Sequence, residues 1–327
     1  MGAPTGVVHM SMHFRELAEQ AMADGHVSAE EVLGLRREGW ADGAIAQDEA
    51  EALFALNRNL AECSNEWADA FVEALVEHML AGGSPRGYVT QLQADWLIAQ
   101  IDADGRVETV AELELIAHLF ERASAVPENL KAYALHQVEQ AVLTGEGPTR
   151  DGGMLEAGNV TVAECRLLRR YIFSSGGDRP GAVSQNEAEM LFRIKDATLG
   201  ANNAPEWALL FVQGVGNYLQ GWSGRNVIDG ARAQQLETFM NDATPNVGRF
   251  FARVASSAVG GGVVKALGFG RKGAADADIA DQIDGDAAVT PTENAWLQSK
   301  FNTDGKMDEL EHALVVFLKN EPVRPGV

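Results

Sequence analysis

The sequence predicts an all-α protein, organised as a tandem array of three-helix units of about sixty residues each. Three observations support this fold class. Apolar residues recur at spacings of three and four, as at Val32 and Leu35 or at Leu113 and Ile116, which is the periodicity of an amphipathic helix. Almost no segment alternates polar and apolar residues as a strand would. A short motif also returns along the whole chain, always at the start of a helical pattern.

The motif consists of a glycine, an apolar residue two positions later and Glu or Gln six positions later. Near-copies occur at 287–293, where Ala287 replaces the glycine, and at Gly105, where the acid is displaced by one position to Glu112. The full copies are Gly25/Val27/Glu31, Gly43/Ile45/Glu49, Gly87/Val89/Gln93, Gly158/Val160/Glu164, Gly181/Val183/Glu187 and Gly305/Met307/Glu311.

In the first three units, a pair of motifs precedes a third helix with its own signature. Two of these third helices share one register, in which Trp67 or Trp207 is followed four residues later by Phe71 or Phe211. The tryptophans are interpreted as core anchors that pack the third helix onto the preceding pair. The resulting units are placed at 14–83, 84–147, 150–222, a degraded copy at 223–262 and a truncated copy at 283–321.

Turn-forming residues suggest how these units group into domains. The glycine-rich and proline-containing segment at 145–153 is the strongest candidate boundary. We therefore predict a first lobe at 1–148, a second lobe at 149–255, a flexible insertion rich in Gly and Ala at 256–282, and a terminal unit at 283–327. The sequence leaves open whether the units close into two lobes or continue as a superhelix.

Composition restricts the function classes. The formal net charge of −21, with 26 Lys and Arg in the whole chain, disfavours nucleic acid as a partner and leaves a protein partner as the expectation. The start of the chain shows no secretory signal, and the most apolar stretch, 254–269, is too short to span a membrane, so a cytoplasmic location is expected. Cys63 and Cys165 lack metal or redox spacing and are interpreted as small core residues in a reducing compartment.

The repeated motif has two interpretations, of which helix capping requires no ligand. In a capping box, a Ser, Thr or Asp side chain accepts a hydrogen bond from the amide three residues later, and a Glu or Gln there bonds back to the cap amide. Each cap contributes about 1 kcal/mol. The candidate boxes are Ser28/Glu31, Thr90/Gln93, Thr161/Glu164, Ser184/Glu187, Thr290/Glu293 and Asp308/Glu311.

The second interpretation is a set of calcium loops of the EF-hand type, in which glycine occupies loop position 6 and a bidentate Glu position 12. Most copies lack the carboxylate at position 1, so any such site is expected to be weak, and capping is the preferred interpretation. The best-furnished loops lie at 100–112 and 300–311, followed by the copy at 282–293. Their candidate metal ligands are Asp102, Asp104, Glu108 and Glu112, then Asn302, Asp304, Asp308 and Glu311, and finally Asp284, Asp286 and Glu293.

Two segments also resemble a known family. The nine residues at 23–31 and at 41–49 look like the A-D-G-x-[VI]-x-x-x-E segments of TerB-like domains, the tellurite-resistance and DjlA-type helical domains. The resemblance implies a non-catalytic, all-helical domain that binds metal ions through acidic positions. The matching positions here are Asp24, Glu31, Asp42 and Glu49 in the first unit, with Asp104 and Glu112 in the second. This chain departs from that pattern by repeating the unit, and by Ala157 and Pro180 before the glycines of the third.

Two hypotheses follow. The first is a non-enzymatic, acidic, helical interaction or scaffold module with at most weak divalent-cation sites, since helical repeat stacks present extended binding surfaces. The second is a true calcium-binding protein that uses the loops at 100–112 and 300–311. Calcium is the single cofactor considered, and no residue pattern indicates an enzyme.

Overall fold

The computed structural model describes residues 12–39, 44–82, 85–104, 109–150, 158–174, 182–222, 291–301 and 307–320, and within them the protein is all-α. No strand is present in these ranges, where β-type pairing is limited to an isolated bridge between Tyr88 and Ala125. The predicted fold class is therefore confirmed. The tandem array of three-helix units stays a prediction, and the segments predicted as a degraded unit at 223–262 and an insertion at 256–282 lie outside the described residues.

The described helices fall into two compact units. Unit 1 contains α1 (Met12–Asp24), α2 (Ala29–Gly39), α3 (Gln47–Asn59), α4 (Asn65–Gly82), α5 (Gln91–Ile101), α6 (Val110–Arg122) and α7 (Glu128–Thr144), with short 3-10 turns at Asp102–Asp104 and Pro148–Arg150. Unit 2 contains α8 (Val162–Ile172), α9 (Gln185–Ala197), α10 (Pro205–Trp222), α11 (Pro291–Phe301) and α12 (Glu309–Asn320). None of the helices searched in the described residues is both long and apolar enough to cross a membrane.

One long helix forms the centre of each unit. In unit 1, α4 packs against α2, α3 and α6, and in unit 2, α10 packs against α8, α9 and α12. Both central helices carry a buried stripe with a period of four residues, which begins at Trp67 in α4 and at Trp207 in α10. Each large apolar side chain in such a stripe contributes about 1.5–3 kcal/mol through burial. The predicted role of the two tryptophans as core anchors is confirmed.

The aromatic cores of the two units have the same geometry. Phe54 of α3 meets Phe71 of α4 edge to face with ring centroids 5.2 Å apart, and Phe192 of α9 meets Phe211 of α10 at 5.2 Å. The same phenylalanines also contact a tryptophan of a further helix, Trp96 of α5 at 5.8 Å in unit 1 and Trp296 of α11 at 5.5 Å in unit 2. Helices α2 to α6 of unit 1 therefore correspond one to one with α8 to α12 of unit 2.

The helix starts follow the predicted capping boxes. Thr90, Thr161 and Ser184 each accept a hydrogen bond from the amide three residues later, and the Gln or Glu at that position bonds back to the cap. Ser28 with Glu31 and Asp308 with Glu311 make the same reciprocal contacts. At α3, Ala46 has no hydroxyl, and Glu49 Oε2 alone accepts from the Ala46 amide at 2.9 Å. The predicted cap at Thr290 lies outside the described residues.

Two equivalent loops, one in each unit, require glycine at the first position of the motif. Gly25 and Gly158 adopt φ angles of 73° and 83°, in the left-handed region that disfavours other residues. An added Cβ would lie 3.7 Å from the carbonyl oxygen of Asn59 and 3.5 Å from that of Ala197, at the ends of α3 and α9. The glycine therefore permits a tight loop beside the end of a neighbouring helix in both units.

Candidate functional site

The start of α6 meets the end of α3 in a buried polar junction in unit 1. Asn57 Nδ2 donates to Thr109 Oγ1 at 3.0 Å and to Glu112 Oε1 at 3.4 Å. Thr109 and Glu112 form the capping box of α6, with the Thr109 amide donating to Glu112 Oε2 at 3.1 Å. The Asn57 side-chain oxygen accepts from Trp67 Nε1 at 3.0 Å. One neutral amide thus links the cap of α6 to the core of α4.

The corresponding junction of unit 2 is ionic. Lys195 of α9 occupies the place of Asn57, three residues after the core phenylalanine, and its Nζ donates to Glu311 Oε1 at 2.7 Å and to Asp308 Oδ2. Asp308 is the N-cap of α12, where its Oδ1 accepts from the Glu311 amide at 2.9 Å. Asp196 Oδ1 lies 2.9 Å from the same ammonium group. The side chains of Lys195 and Glu311 are 2% and 4% exposed, so this pair is almost fully removed from water.

The electrostatics of this junction keep Lys195 charged. Burial alone lowers the pKa of Lys195, but the hydrogen bonds to Asp308, Glu311 and Asp196 outweigh it, and the net shift of the Lys195 pKa is upward. Burial raises the pKa of Glu311, while the hydrogen bond from Lys195 acts in the opposite direction. Removal of either the ammonium group or its carboxylates would leave an uncompensated buried charge, which is strongly destabilising.

The carboxylates of this junction also have the spacing of a cation site. Oxygen atoms of Asp196, Asp308 and Glu311 all lie within 4.8 Å of one another, as the ligands of a bound ion would. Lys195 Nζ contacts all three of these carboxylates and supplies a positive charge from the chain itself. A divalent ion at this point would have to displace that ammonium group.

The candidate metal ligands predicted in the second unit are spread over several surroundings. Glu112 is buried in the capping box of α6. Asp102 is exposed and accepts a hydrogen bond from Tyr133 Oη at 2.7 Å. Asp104 ends the 3-10 turn after α5, and its side chain, like residue Glu108 as a whole, is not among the described parts of the chain.

In the terminal unit, the structure brings Asp308 and Glu311 together and joins them to Lys195. Five further candidates were predicted there as ligands, and their side chains lie outside the described structure. These are Asn302, Asp304, Asp284, Asp286 and Glu293. For these residues, the predicted role as metal ligands stays a prediction.

Sequence reasoning missed Asn57, Lys195, Asp196 and Thr109. Thr109 was not identified as a cap because the loop before α6 is one residue longer than the loop before α12: α6 begins six residues after Asp104, and α12 begins five residues after Asp304. The position of the acid was counted from Gly105 and not from the N-cap residue. Asn57 and Lys195 carried a detectable signal, since each is a polar residue three positions after a phenylalanine on the apolar face of its helix. The capping acids that they contact, Glu112 and Glu311, lie more than fifty residues away in the chain, so no local pattern could reveal these contacts.

A separate feature of unit 1 is a groove of about 1350 Å³ on the surface of α4 and α6. One side is a stripe of α6 residues four positions apart, from Val110 through Glu114 and His118 to Arg122, and the α4 side carries Asp69 and Glu73. Further lining comes from the ends of α3 and α7 and from the segment after α7. This lining includes Arg58, Cys63, Gln137, Gln140 and Glu146.

Cys63 lies in this groove and is exposed, which corrects the prediction that both cysteines are core residues. It belongs to the loop between α3 and α4 and not to a helix, so the apolar helical pattern did not extend to it. Cys165 is buried on α8, as predicted. Burial is the main cause that raises the pKa of Cys165 to about 12, and partial burial followed by the nearby Glu112 charge raises the pKa of Cys63.

Four of the polar side chains in the groove are found in unit 1 and not at the equivalent positions of unit 2. The α4 residues Asp69 and Glu73 correspond to Leu209 and Gln213 on α10, counted from the equivalent tryptophans. The α6 residues Glu114 and His118 correspond to Ala313 and Phe317 on α12, counted from the equivalent capping acids. Since the fold forms in unit 2 without these four polar side chains, their presence in unit 1 is not explained by packing.

Comparisons with protein-family models, with curated proteins and with solved structures found no match for this chain. The function is therefore argued from the geometry of its own residues.

Proposed function

We propose that this protein is a non-enzymatic, acidic, all-helical interaction module of the cytoplasm, and that the groove of unit 1 is its binding surface. The groove carries the proposal, because it gathers four charged or titratable side chains, Asp69, Glu73, Glu114 and His118, that unit 2 replaces with uncharged residues. Charged side chains that packing does not require, gathered in a concave surface, are typical of a site for binding a partner.

The size of the groove supports a macromolecular partner. Its volume of about 1350 Å³ exceeds the roughly 300–1,000 Å³ that is usual for small-molecule sites. The net charge of −21 opposes binding of nucleic acid phosphates. The two unpaired thiols, Cys63 and Cys165, support a reducing compartment such as the cytoplasm.

Site-specific photo-crosslinking tests the proposal. A photoreactive amino acid would replace Gln140 in the groove and, as a matched control, Glu19 on the exposed side of α1. In a lysate of the native cells, we expect a discrete protein adduct from position 140 and none from position 19, and an excess of unmodified protein should suppress it. Equal labelling from both positions, or no adduct from position 140, would show that the groove is not the binding surface.

Calcium binding is the second candidate function, through the loops at 100–112 and 300–311. The convergence of Asp196, Asp308 and Glu311 oxygens favours it, as does the resemblance to TerB-like domains. The ammonium group of Lys195 opposes it, because it contacts the same three carboxylates. We therefore propose that any divalent-cation binding in the 300–311 loop is weak.

Calorimetric titration with calcium distinguishes the two functions. For an interaction module, heat of binding should be absent below calcium concentrations on the order of 1 mM. Lys195→Met serves as a comparison, since it removes the competing ammonium group and leaves the carboxylates in place. Tight binding by the unaltered protein would instead support the calcium-binding function.

A further inference from the structure

We propose that the groove of unit 1 binds a basic amphipathic helix of a partner protein. This inference rests on the proposed function and specifies the chemistry of the partner. It depends on three properties of the groove, namely its length, its floor and its charge.

The length of the groove matches a helical segment. The α6 stripe from Val110 to Arg122 spans twelve residue steps, which at about 1.5 Å per residue gives roughly 18 Å, or about three helical turns. A stripe with a spacing of four residues runs along one face of α6, and α4 lies beside it. Recognition of a helix in a groove between two helices uses apolar anchors at spacings of three, four and seven residues, which this length accommodates.

The floor of the groove is apolar and made largely of small side chains. Val72 of α4 and Ala111 and Leu113 of α6 are 8%, 2% and 2% exposed, and Ala68 and Ala141 lie beside them in the lining. Val110, at one end, is 46% exposed. Alanines on the floor allow the backbone of a bound helix to approach closely, while the exposed part of Val110 offers apolar contact.

The walls of the groove are acidic. Four carboxylates line it, on Asp69, Glu73, Glu114 and Glu146, against the guanidinium groups of Arg58 and Arg122. Glu73 is paired with Arg36 of α2, so Asp69, Glu114 and Glu146 supply most of the negative charge. Arg58 Nη1 donates to the backbone oxygen of Gln100 at 3.0 Å, so part of its hydrogen-bonding capacity is used within the protein.

The electrostatic field of the whole chain also favours a basic partner. At a net charge of −21, it attracts cations and repels acidic partners, including a second copy of this chain. The complementary partner is therefore a helix with apolar residues on one face and Lys or Arg on the other.

Unit 2 provides an internal comparison for this inference. In place of Asp69, Glu73, Glu114 and His118 it has Leu209, Gln213, Ala313 and Phe317, with no carboxylate among them, whereas Asp196 stands in place of Arg58. The pair Arg36 and Glu73 of unit 1 has its counterpart in Arg169 and Gln213, where Arg169 Nη2 donates to Gln213 Oε1 at 2.6 Å. Since the inter-helix contact is kept in unit 2 with a neutral amide, the negative charge at Glu73 is not needed to form it.

Binding of a model peptide tests the inference. The probe is a fluorescein-labelled, eighteen-residue helical peptide of Leu and Lys in an amphipathic pattern, measured by fluorescence anisotropy against the full chain with Cys63→Ser. A peptide of the same pattern with Glu in place of Lys is the comparison. We expect binding of the Lys peptide alone, weakening as salt is raised.

Paired variants locate the binding. Asp69→Asn with Glu114→Gln removes two charges from the groove without changing side-chain size, and should weaken binding of the Lys peptide by about tenfold. Glu19→Gln with Glu30→Gln removes two exposed charges from α1 and α2 and should leave the affinity within about twofold. Circular dichroism and chemical unfolding would verify that both variants are folded.

Each other outcome overturns the inference in a distinguishable way. If the control pair weakens binding as much as the groove pair, the attraction is general to the chain and not specific to the groove. If the Glu peptide binds as well as the Lys peptide, the assigned partner charge is wrong. If neither peptide binds, the inference fails, while the crosslinking experiment at Gln140 decides the proposed function independently.

Discussion

Asn57 and Lys195 occupy equivalent positions in the two units and secure the same kind of helix N-terminus with different chemistry. The replacement of neutral Asn57 by charged Lys195 is accompanied by a replacement at the N-cap, which is neutral Thr109 in unit 1 and the carboxylate Asp308 in unit 2. The additional carboxylate thus accompanies the additional ammonium group, and each junction balances its own polar groups. The same contact between two helices is therefore made by a neutral amide in unit 1 and by an ion pair in unit 2.

This relationship predicts that the junction of unit 1 can be transplanted into unit 2. Lys195→Asn alone leaves Asp308 and Glu311 buried without a counter-charge and should lower the free energy of unfolding by about 3 kcal/mol. Lys195→Asn combined with Asp308→Thr reproduces the Asn, Thr and Glu set of the unit 1 junction and should recover most of that loss. Urea unfolding of the single and double variants measures the coupling. Losses that simply add would contradict the equivalence of the two junctions.

The pH dependence of Lys195→Met gives a second prediction. In the unaltered protein the pKa of Lys195 is raised, so its contribution is complete below the unfolded value of about 10.4 and is lost only as the pH rises through the higher folded value. In the variant, Glu311 loses the hydrogen bond from Lys195 that opposes the effect of burial, so the folded pKa of Glu311, already raised by burial, should rise further above that of the unfolded chain. As the pH falls and the carboxylate becomes protonated, the free energy of unfolding of the variant should therefore approach that of the unaltered protein.

Unfolding measured across pH 5 to 9 tests this expectation. The stability difference between the protein and Lys195→Met should be constant from about pH 7 to 9 and should shrink below about pH 6. Arg166→Met, a change of a basic residue outside the junction, is the control for general charge effects. A difference that grows toward acid pH would contradict the assigned role of Lys195.

The two buried tryptophans should respond differently to the same substitution. Trp67 Nε1 donates to Asn57, whereas Trp207 Nε1 finds no hydrogen-bond partner among the described residues, because lysine offers no acceptor. Trp67→Phe therefore leaves a buried amide oxygen unsatisfied, and Trp207→Phe removes an unsatisfied donor. We expect Trp67→Phe to cost about 1–2 kcal/mol more than Trp207→Phe in urea unfolding. Equal costs would contradict this account.

The cap of α3 offers a stabilising substitution. Ala46 has the extended backbone of an N-cap, with φ −74° and ψ 162°, but it has no hydroxyl group. Ser184, at the equivalent position of α9, has the extended backbone and also the hydroxyl group. Ala46→Ser should raise the free energy of unfolding by about 1 kcal/mol, and Ser184→Ala should lower it by a similar amount. Thermal unfolding compares the two variants. Destabilisation by Ala46→Ser would show that the buried site rejects the hydroxyl group.

The thiols should react at very different rates. Cys63 is exposed, while Cys165 is 3% exposed and has a pKa raised to about 12 by burial. In the folded protein at pH 8, a disulfide reagent that releases a coloured thiolate should titrate one cysteine rapidly, and the second only after unfolding. Cys63→Ser should abolish the rapid phase. Rapid reaction of both thiols would contradict the placement of Cys165.

Much of the local structure followed from the sequence. The spacing of Thr161 and Glu164, or of Ser184 and Glu187, identified helix starts because a capping box involves residues only three positions apart. Trp67 and Trp207 were recognised as anchors since they begin long apolar stripes of helical period. Cys63 was misplaced because the end of an apolar pattern is less certain than its centre.

The sequence by itself determined the all-α fold, most of the helix caps and the burial of Trp67 and Trp207, because these depend on interactions within a few residues. The tertiary structure decided the rest. It joined Lys195 to Asp308 and Glu311, and Asn57 to Thr109 and Glu112, and it gathered Asp69, Glu114 and Glu146 into one groove. These contacts join residues far apart in the chain, so they are set by the packing of whole helices and are not encoded in any local pattern.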